Sequence, residues 1–339
     1  MDVLVTGGGG YLGTTLVPEL VRRGHRVTVL DRFFFGEAVF AGLARSGAVR
    51  TIREDVRWVG GATVSGHDAV IDLAALSNDP AGDLDPWKTY EINYLGRARI
   101  ARLAREAGVR RYLLASSCSV YGFRDVLLDE TMAPEPLTAY ARANVLAEQD
   151  TLPLATDRFC PTAVRFATLY GLSERMRFDL AVNGMVAGAW RNGRIPVMKD
   201  GTQWRPFLHV KDAARALGDS LELPTARIRG RVFNVGSPEQ NFQIAQLAER
   251  VAASMRSPPG LEWYGDPDRR SYRVDFRRGR EELGFVPTLT PEDATREIET
   301  ALASGAVVPS VRHQTVDWYR HLLSDPAAGA EVALRGVVL

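Results

Sequence analysis

The sequence predicts an α/β fold in which a doubly wound parallel sheet is followed by a smaller C-terminal lobe. Strand and helix patterns alternate through the first half of the 339 residues, which is typical of βαβ units. Several strands are continuous apolar runs, as expected for strands that are buried on both faces of a parallel sheet. A glycine-rich turn also joins the first strand directly to the first helix.

The predicted elements follow in order along the chain. Strand patterns, several of them continuous apolar runs, lie at 2–6, 26–30, 49–53, 68–73, 111–116 and 161–166. Asp85 and Pro86 form an N-cap and first-turn pair for a helix that runs to about Ala107, with Gly108 as its C-cap. Another helix starts near Thr138. The second half predicts helices at 178–190, 210–222 and 243–255, and strands at 195–198 and 231–235.

Composition excludes several classes of protein. The formal net charge of +1 gives no electrostatic footprint for a nucleic acid or a membrane surface. Two widely spaced cysteines and five scattered histidines favour neither a disulfide scaffold nor a metal site. The chain begins with a core strand rather than a signal peptide, and no apolar run is long enough to span a bilayer. We therefore expect a cytoplasmic protein.

The turn at residues 7–13 predicts a dinucleotide site. Gly7, Gly10 and Gly13 allow unusual backbone angles and a close approach of phosphate to the main chain, where the N-terminus of the first helix favours an anion. Asp31 ends the second strand, and a carboxylate there can accept hydrogen bonds from ribose hydroxyls and repel a 2′-phosphate. This favours NAD, although Arg32 could pair with the 2′-phosphate of NADP.

A second constellation predicts proton transfer. The fifth strand ends in Ser116 and Ser117, at the carboxyl edge of the sheet where α/β proteins form sites. Tyr140 and Asn144 are one helical turn apart and so share a face of the following helix. A Tyr and a Ser that face one carbinol can move its proton while a nicotinamide exchanges hydride.

Together these motifs resemble an extended short-chain dehydrogenase/reductase of the NAD-dependent nucleotide-sugar epimerase/dehydratase family. The resemblance covers roughly residues 2–300. Its motifs, in order, are Thr6–Gly13, Asp31, Asp55-Val56, Asp72–Ala75, Asn93, Ser116–Gly122, Tyr140 and Trp204–Asp212.

The resemblance implies roles for individual residues. Ser117, Tyr140 and Asn144 match the catalytic positions. The implied NAD contacts are Gly7, Gly10, Tyr11, Leu12, Gly13, Asp31, Arg32, Asp55, Val56, Leu73, Ala74, Ala75, Asn93, Tyr140 and Asn144. The implied contacts to a nucleotide-diphosphate sugar are Ser77, Asn78, Ser117, Thr168, Asn183, Arg205 and Arg270.

The rhythm of strand and helix patterns changes after about residue 171, which predicts an organisation for the whole chain. Residues 1–170 are expected to form an NAD-binding Rossmann domain, and 171–325 a substrate-binding lobe interleaved with the last strands of the sheet. Residues 326–339 are expected to be a loosely docked tail. A homodimer built on the two long helices, about 86–107 and 138–156, is the family's usual assembly.

Two departures from the family pattern concern chemistry. Asn144 replaces the lysine of Tyr-x-x-x-Lys, which lowers the pKa of the tyrosine by its charge; an amide keeps a hydrogen bond without the charge. Lys88 is a candidate for the replacement charge, although its helix position favours the surface. Cys118 and Ser119 stand where sugar 4,6-dehydratases carry an Asp-Glu pair, which argues against that reaction. Cys118 and His209 are interpreted as structural residues.

The sequence therefore predicts an NAD-dependent epimerase of a nucleotide-diphosphate sugar, acting through a transient ketone. One alternative is an NAD(P)H-dependent keto-sugar reductase or dehydrogenase, which would exchange its cofactor in each turnover. Another is a catalytically weak protein that binds NAD and a nucleotide sugar for regulation, an interpretation that Asn144 motivates.

Overall fold

A computed structural model describes residues 1–266 and 270–339. Arg269, expected from the sequence to be a solvated neighbour of Arg270, lies outside the described residues. The strands are β1 (Asp2–Thr6), β2 (Arg26–Asp31), β3 (Val49–Arg53), β4 (Ala69–Asp72), β5 (Arg111–Ser117), β6 (Leu127–Leu128), β7 (Cys160–Phe166), β8 (Thr168–Tyr170), β9 (Arg194–Met198), β10 (Trp204–His209), β11 (Arg231–Val235), β12 (Asn241–Gln243), β13 (Gly260–Tyr264) and β14 (Arg273–Val274).

Helices connect and cover these strands. They are α1 (Gly13–Arg22), α2 (Ala41–Arg45), α3 (Gly61–Val64), α4 (Asp79–Gly82), α5 (Pro86–Tyr90), α6 (Arg97–Glu106), α7 (Ala139–Thr151), α8 (Ala181–Asn192), α9 (Val210–Glu222), α10 (Thr225–Ile228), α11 (Ile244–Ser254), α12 (Pro291–Ala303), α13 (Thr315–Ser324) and α14 (Pro326–Val332). A π-helical segment, Glu91–Gly96, joins α5 to α6, so the predicted long helix is continuous but locally widened.

The central sheet has seven parallel strands in the order β11-β7-β5-β4-β1-β2-β3. The strand order reverses between β1 and β4, which is where doubly wound sheets open a crevice at their carboxyl edge. Thr6 and Asp72 face each other at this point, and the Thr6 hydroxyl donates to Asp72 Oδ1 at 2.6 Å. The predicted α/β fold class and the predicted strands of the first half are confirmed.

Alternate side chains of each central strand point to opposite faces of the sheet. Val3 and Val5 of β1 pack with Leu16 of α1 and Leu217 of α9 on one face. Leu4 of β1 packs on the other face, in a cluster contributed by α6, α7 and α13. Both faces are therefore covered, which explains the continuous apolar strands.

The second half of the chain builds smaller sheets beside the carboxyl edge of the large one. These sheets are β12-β10-β8, β13-β9 and β14-β6. The first two sheets share a core that includes Val197 of β9, Phe207 of β10, Leu247 of α11 and Ile298 of α12. Leu128 of β6 and Val274 of β14 are buried in the core of the large sheet. In the described part of the chain, no helix is both long and apolar enough to cross a membrane.

The C-terminal segment packs firmly, so the expectation of a loosely docked tail is wrong. Residues 326–332 form α14, and Val332 and Leu339 are buried against the large domain. The Arg32 guanidinium donates from Nη2 to the carbonyls of Val332, Val337 and Val338 at 3.1, 2.7 and 3.0 Å. A small apolar sequence did not reveal these backbone acceptors, because their partner lies about 300 residues away.

Candidate active site

A cleft of about 790 Å³ lies between the carboxyl edge of the large sheet and the smaller sheets. It brings together most of the residues that the sequence singled out. These are Gly7, Gly10, Tyr11, Leu12, Gly13, Asp31, Arg32, Asp55, Val56, Leu73, Ala74, Ala75, Ser77, Asn78, Ser117, Tyr140, Asn144, Thr168, Arg205 and Arg270.

The glycine turn is shaped by two close backbone approaches. Gly7 has a φ of +69°, and a Cβ atom there would lie 2.6 Å from the backbone of Ala74. A Cβ atom on Gly13 would lie 2.3 Å from the carbonyl oxygen of Gly8. The turn therefore requires glycine at both positions, and α1 begins directly above the strand ends.

Asp31 is fixed at the end of β2 by two backbone donors. Its carboxylate accepts from the Gly9 N–H at 2.8 Å and from the Phe33 N–H at 2.6 Å. Burial raises the pKa of Asp31, and these two hydrogen bonds oppose the rise. The carboxylate lines the cleft, where it can accept ribose hydroxyls and disfavours a second negative charge.

Arg32 does not supply the counterpart that a 2′-phosphate would need. Its Nη1 donates to Asp55 Oδ2 at 2.7 Å, and Nη2 binds the C-terminal carbonyls. Asp55 is also bound by Arg57. Burial raises the pKa of the Asp55 carboxyl, but the hydrogen bonds and charges of Arg57 and Arg32 outweigh burial, so the pKa is lowered. The expectation that Arg32 could pair with a 2′-phosphate is therefore corrected, which strengthens the preference for NAD.

The donor set and the walls of this half of the cleft fit a dinucleotide. The glycine turn leaves the start of α1 open to phosphate, and Asp31 offers a carboxylate to a ribose. Leu73, Ala74 and Ala75 follow β4 and give this half of the cleft a small apolar wall.

Ser117 and Tyr140 reach the cleft from β5 and α7. Thr138 caps α7 by accepting from the Ala141 N–H at 3.1 Å, which orients the first turn carrying Tyr140. The pKa of Tyr140 is raised, first by burial and then by the Asp79 carboxylate. The charge of Arg97 and the neighbouring polar side chains of Asn144 and Ser117 act on this pKa in the opposite direction.

Asn144 is tied to a cation that the sequence patterns did not single out. Its Oδ1 accepts from Arg97 Nη1 at 2.9 Å, and its Nδ2 donates to the backbone carbonyl of Tyr140 at 3.2 Å. Lys88, the expected replacement charge, instead pairs with Glu91 at 2.9 Å and does not line the cleft. Arg97 lies four residues after Asn93 on the same helix face, a signal that could have identified it.

Two amides expected to contact ligands lie behind the cleft. Asn93 is fully buried, accepts from the Leu76 N–H at 2.8 Å and donates to the Leu76 carbonyl at 3.1 Å. Asn183 is fully buried, accepts from the Gly171 N–H at 2.8 Å and donates to the Tyr11 hydroxyl at 3.1 Å. Both direct contacts are corrected, because these amides instead support residues that line the cleft.

A charged cluster beside the expected sugar loop was not predicted from the sequence. Arg177 donates to Ser77 Oγ at 3.1 Å and pairs with Asp179. Asn78 donates to Asp179 Oδ2 at 3.0 Å. These contacts join the loop after β4 to the segment before α8, across about 100 residues of sequence, which local patterns do not reveal.

Arg205 and Arg270 lie together at the side of the cleft formed by the smaller sheets. Arg205 donates to the Arg270 carbonyl and lies over the Tyr272 ring, 5.1 Å from its centroid. Arg270 pairs with Asp79. Two cations are thus held near the loop that carries Asn78.

His209 and Cys118 have the structural positions expected of them. His209 is buried and caps α9 by accepting from the Lys211 N–H at 3.2 Å. The Cys118 thiol is buried and donates to the Arg165 carbonyl, and burial raises its pKa. Neither lines the cleft.

The family is decided by a comparison that covers most of the chain. The family model described as "NAD dependent epimerase/dehydratase family" matches residues 3–236. The chain belongs to the NAD dependent epimerase/dehydratase family. The resemblance, the fold and the cofactor expected from the sequence are thereby confirmed.

Curated relatives of this NAD dependent epimerase/dehydratase family member include decarboxylases. UDP-glucuronic acid decarboxylase 1 of Arabidopsis thaliana is 28% identical over 308 residues, covering 86% of this chain and 67% of that protein. The protein of the same name from Danio rerio is 28% identical over 321 residues, covering 86% of this chain and 70% of the relative.

Solved structures of similar proteins hold NAD. One, described as MoeE5 in complex with UDP-glucuronic acid and NAD, is 28% identical with a TM-score of 0.79, covering 90% of this chain and 100% of that chain. UDP-glucose-4-epimerase from Stenotrophomonas maltophila, 24% identical with a TM-score of 0.80 over 90% of this chain and 99% of that one, shares the fold. This family member is an NAD-dependent nucleotide-sugar enzyme of the short-chain dehydrogenase/reductase type.

Proposed function

We propose that this enzyme epimerises a ring carbinol of a nucleotide-diphosphate sugar through a transient ketone, with NAD retained between turnovers. The observation that carries the proposal is the meeting of Ser117, Tyr140 and the glycine turn in one cleft. A hydroxyl pair beside a dinucleotide site is the minimum that reversible carbinol oxidation needs.

The cofactor is proposed to lie along the carboxyl edge of the large sheet. The turn at Gly7, Gly10 and Gly13 would receive the pyrophosphate, and Asp31 the ribose hydroxyls. Tyr11, Leu12, Val56 and Leu73–Ala75 would supply the walls. NAD, when bound, supplies the hydride acceptor for the oxidation and, once reduced, the hydride donor for the return.

Tyr140 is proposed to hold the reacting proton. It accepts the proton of the sugar hydroxyl in the oxidation and returns it when the ketone is reduced. Ser117 Oγ accepts from the Ser119 N–H at 3.1 Å, so its own hydrogen is directed away from that amide. The Ser117 hydroxyl can therefore donate to the same sugar oxygen and keep it in reach of Tyr140.

The nucleotide half of the substrate is proposed to bind Arg205 and Arg270. Planar guanidinium groups suit the paired oxygens of a diphosphate. The Arg270 pair with Asp79 would be shared with, or exchanged for, the diphosphate. Ser77, Asn78 and Thr168 are proposed to contact the sugar, and the rotation of a keto-sugar between two faces would take place among them.

Decarboxylation of a nucleotide-linked hexuronic acid is the second candidate. Two 28% identical relatives are named as UDP-glucuronic acid decarboxylases. A ketone at C4 makes the C5 carboxylate a β-keto acid, so the C5–carboxyl bond can break. Carbon dioxide leaves, the electron pair of that bond passes to the ketone as an enolate, and C5 is protonated. Return of the hydride that was removed from C4 would then reduce the ketone and give a pentose with no net oxidation. The same Tyr140 and Ser117 would serve both reactions.

A homodimer is proposed from the surface of the two long helices. Trp87 in α5 is 80% exposed, and Leu95 in the π-helical segment is 55% exposed. Both are large apolar side chains on elements that pack beside α7. Light scattering of the wild type and of Trp87→Glu with Leu95→Glu should give a dimer and a monomer, respectively; a monomeric wild type would reject the proposal.

Small molecules released from the purified, denatured protein test the proposed function. Mass spectrometry should find NAD⁺ together with a nucleotide sugar. Incubation of the native protein with UDP-glucose or UDP-glucuronic acid, without added cofactor, should then give an epimer of equal mass. A pentose product would favour the decarboxylase, and a stoichiometric need for NADH would favour a reductase. NAD⁺ binding without turnover of any sugar would favour the regulatory alternative.

A further inference from the structure

We propose that Arg97 supplies, from α6, the positive charge that the lysine of Tyr-x-x-x-Lys supplies in the family pattern, and that Asn144 links this charge to Tyr140. The inference rests on the proposed role of Tyr140 in proton transfer. It makes Arg97 and Asn144 a matched pair of replacements rather than a loss of one catalytic group.

The guanidinium of Arg97 is held at the carboxyl edge of the large sheet. Arg97 is 1% exposed and yet lines the cleft. Its Nη2 donates to the Asp72 carbonyl at 3.2 Å and to the Ala115 carbonyl. These acceptors lie at the carboxyl ends of β4 and β5. The charge is thus anchored two residues before Ser117, at the sheet edge where the reaction is proposed to occur.

The two sides of the Arg97 guanidinium meet different partners. Nη1 donates to Asn144 Oδ1 at 2.9 Å, and Asn144 Nδ2 donates to the main-chain carbonyl of Tyr140 at 3.2 Å, in the same turn of α7. The Asp72 carboxylate faces the opposite side of the guanidinium, with Oδ2 at 3.4 Å from Nε, and is also held by Thr6 and Tyr112. The Nη1 edge of the guanidinium therefore faces Asn144 on α7, the helix that carries Tyr140, while the Asp72 carboxylate lies beside Nε.

Charged groups of opposite sign surround the phenol of Tyr140. Asp79 of α4 raises the pKa of Tyr140, and Arg97 of α6 lowers it. Arg270 is bound to Asp79, and Lys88 and Glu91 neutralise each other near the surface of the same helical run. The charge of Arg97 therefore opposes the effect of the Asp79 carboxylate on the phenol of Tyr140.

The properties of an arginine side chain suit position 97. A buried charge must be paired and hydrogen-bonded, and Arg97 has both the Asp72 carboxylate and oxygen acceptors from Asn144 and the ends of β4 and β5. An arginine stays protonated throughout the range in which a tyrosine titrates. Arginine therefore suits a position where the neighbouring charge must not change while a tyrosine titrates.

Two variants test the charge directly. Arg97→Gln should lower kcat at neutral pH by about tenfold or more, leave the KM for the nucleotide sugar within about twofold, and move the rising limb of the pH profile to higher pH. Arg97→Lys should keep the limb near its wild-type position. The phenolate absorbance of Tyr140, taken as the difference from Tyr140→Phe at each pH, should move in parallel.

A rescue and a matched control separate chemistry from folding. Asn144→Lys in the Arg97→Gln background should restore about tenfold of the lost rate, because it returns the charge to the other side of the pair. Arg165→Gln removes another buried arginine, which binds Glu148 of α7 at 2.6 Å. It should lower the melting temperature without moving the Tyr140 titration.

The results distinguish the two proposals. An unchanged pH limb and phenolate titration in Arg97→Gln would overturn the role of Arg97, even if Tyr140→Phe abolishes turnover. Conversely, if the wild type turns over no sugar but Arg97→Gln still shifts the phenolate titration, the inference on Arg97 stands and the proposed reaction fails. If Arg97→Gln does not fold, Asn144→Leu serves instead, because it removes the side chain between Arg97 and Tyr140. Asn144→Leu should move the rising limb of the pH profile to higher pH, and Arg97→Lys should not. An equal movement in both variants would overturn the role of Arg97.

Discussion

Arg32 Nη1 lies 2.7 Å from Asp55 Oδ2, and this ion pair links the second strand to the segment that follows the third. The same guanidinium binds the backbone of the C-terminal segment through Nη2. One buried side chain therefore connects the cofactor side of the cleft with the end of the chain. Its contacts explain both why the tail is ordered and why this arginine does not face a 2′-phosphate.

Removal of residues 326–339 should destabilise the protein and relax cofactor choice. Val332 and Leu339 lose their burial, and each fully buried aliphatic side chain is worth about 1.5–3 kcal/mol. Arg32 also loses its carbonyl partners and can reach a 2′-phosphate. We expect a lower melting temperature and a higher affinity for NADP relative to NAD, measured by calorimetry. An unchanged affinity ratio would contradict this expectation, and Arg32→Gln in the shortened chain should reverse the gain.

Alanine at Gly7 should abolish retention of NAD. The left-handed backbone alone makes alanine less stable there by about 1–2 kcal/mol, and the added Cβ would lie 2.6 Å from Ala74. The turn must shift into the space proposed for the pyrophosphate. The measurement is NAD content after purification. Gly42→Ala is the control, because a Cβ there meets nothing within 4 Å; equal NAD content in both variants would rule out the proposed turn.

Phenylalanine at Tyr140 should remove turnover without removing the cofactor. The hydroxyl is lost, and a positioned acid or base contributes about a hundredfold or more to such reactions. We expect kcat to fall by that factor while NAD content and melting temperature stay near wild type. Ser117→Ala should show a smaller loss of the same kind. Retained turnover in Tyr140→Phe would mean that another group takes the proton.

The pH profile should respond to Asp79 in the sense opposite to Arg97. The Asp79 carboxylate raises the pKa of Tyr140, so Asp79→Asn favours the phenolate. The limb on which activity rises with pH should move to lower pH. Asp83→Asn, at the end of the same short helix, is exposed and should leave the limb in place. Movement of the limb to higher pH would contradict the assignment of Tyr140 as the titrating base.

Local signals in the sequence were sufficient for the fold. Apolar runs predicted the central parallel strands because both faces of β1, β4, β5 and β7 are buried, and the glycine turn was visible from its own residues. The same holds for helix 210–222 and strand 231–235, whose bounds match the structure. Their patterns depend on neighbours in sequence.

Long-range partners limited the prediction of the site. Asn93 and Asn183 have the residue type of ligand contacts, but tertiary packing turns both amides toward backbone groups. Arg97 looked like one of several arginines in a charged helix until β4, β5 and α7 converged on it. The missing lysine was visible in the sequence, whereas the replacement that we propose became visible only in the fold.

We propose above all that this enzyme catalyses a redox-neutral reaction with retained NAD, Tyr140 and Ser117. Its most direct test is turnover of UDP-glucose and UDP-glucuronic acid by the purified protein with no cofactor added, followed by chromatography and mass spectrometry of the sugar. The claim predicts many turnovers per protein, an epimer of unchanged mass, and loss of this product in Tyr140→Phe. A product that forms only with stoichiometric NADH, or equal turnover by Tyr140→Phe, would contradict it.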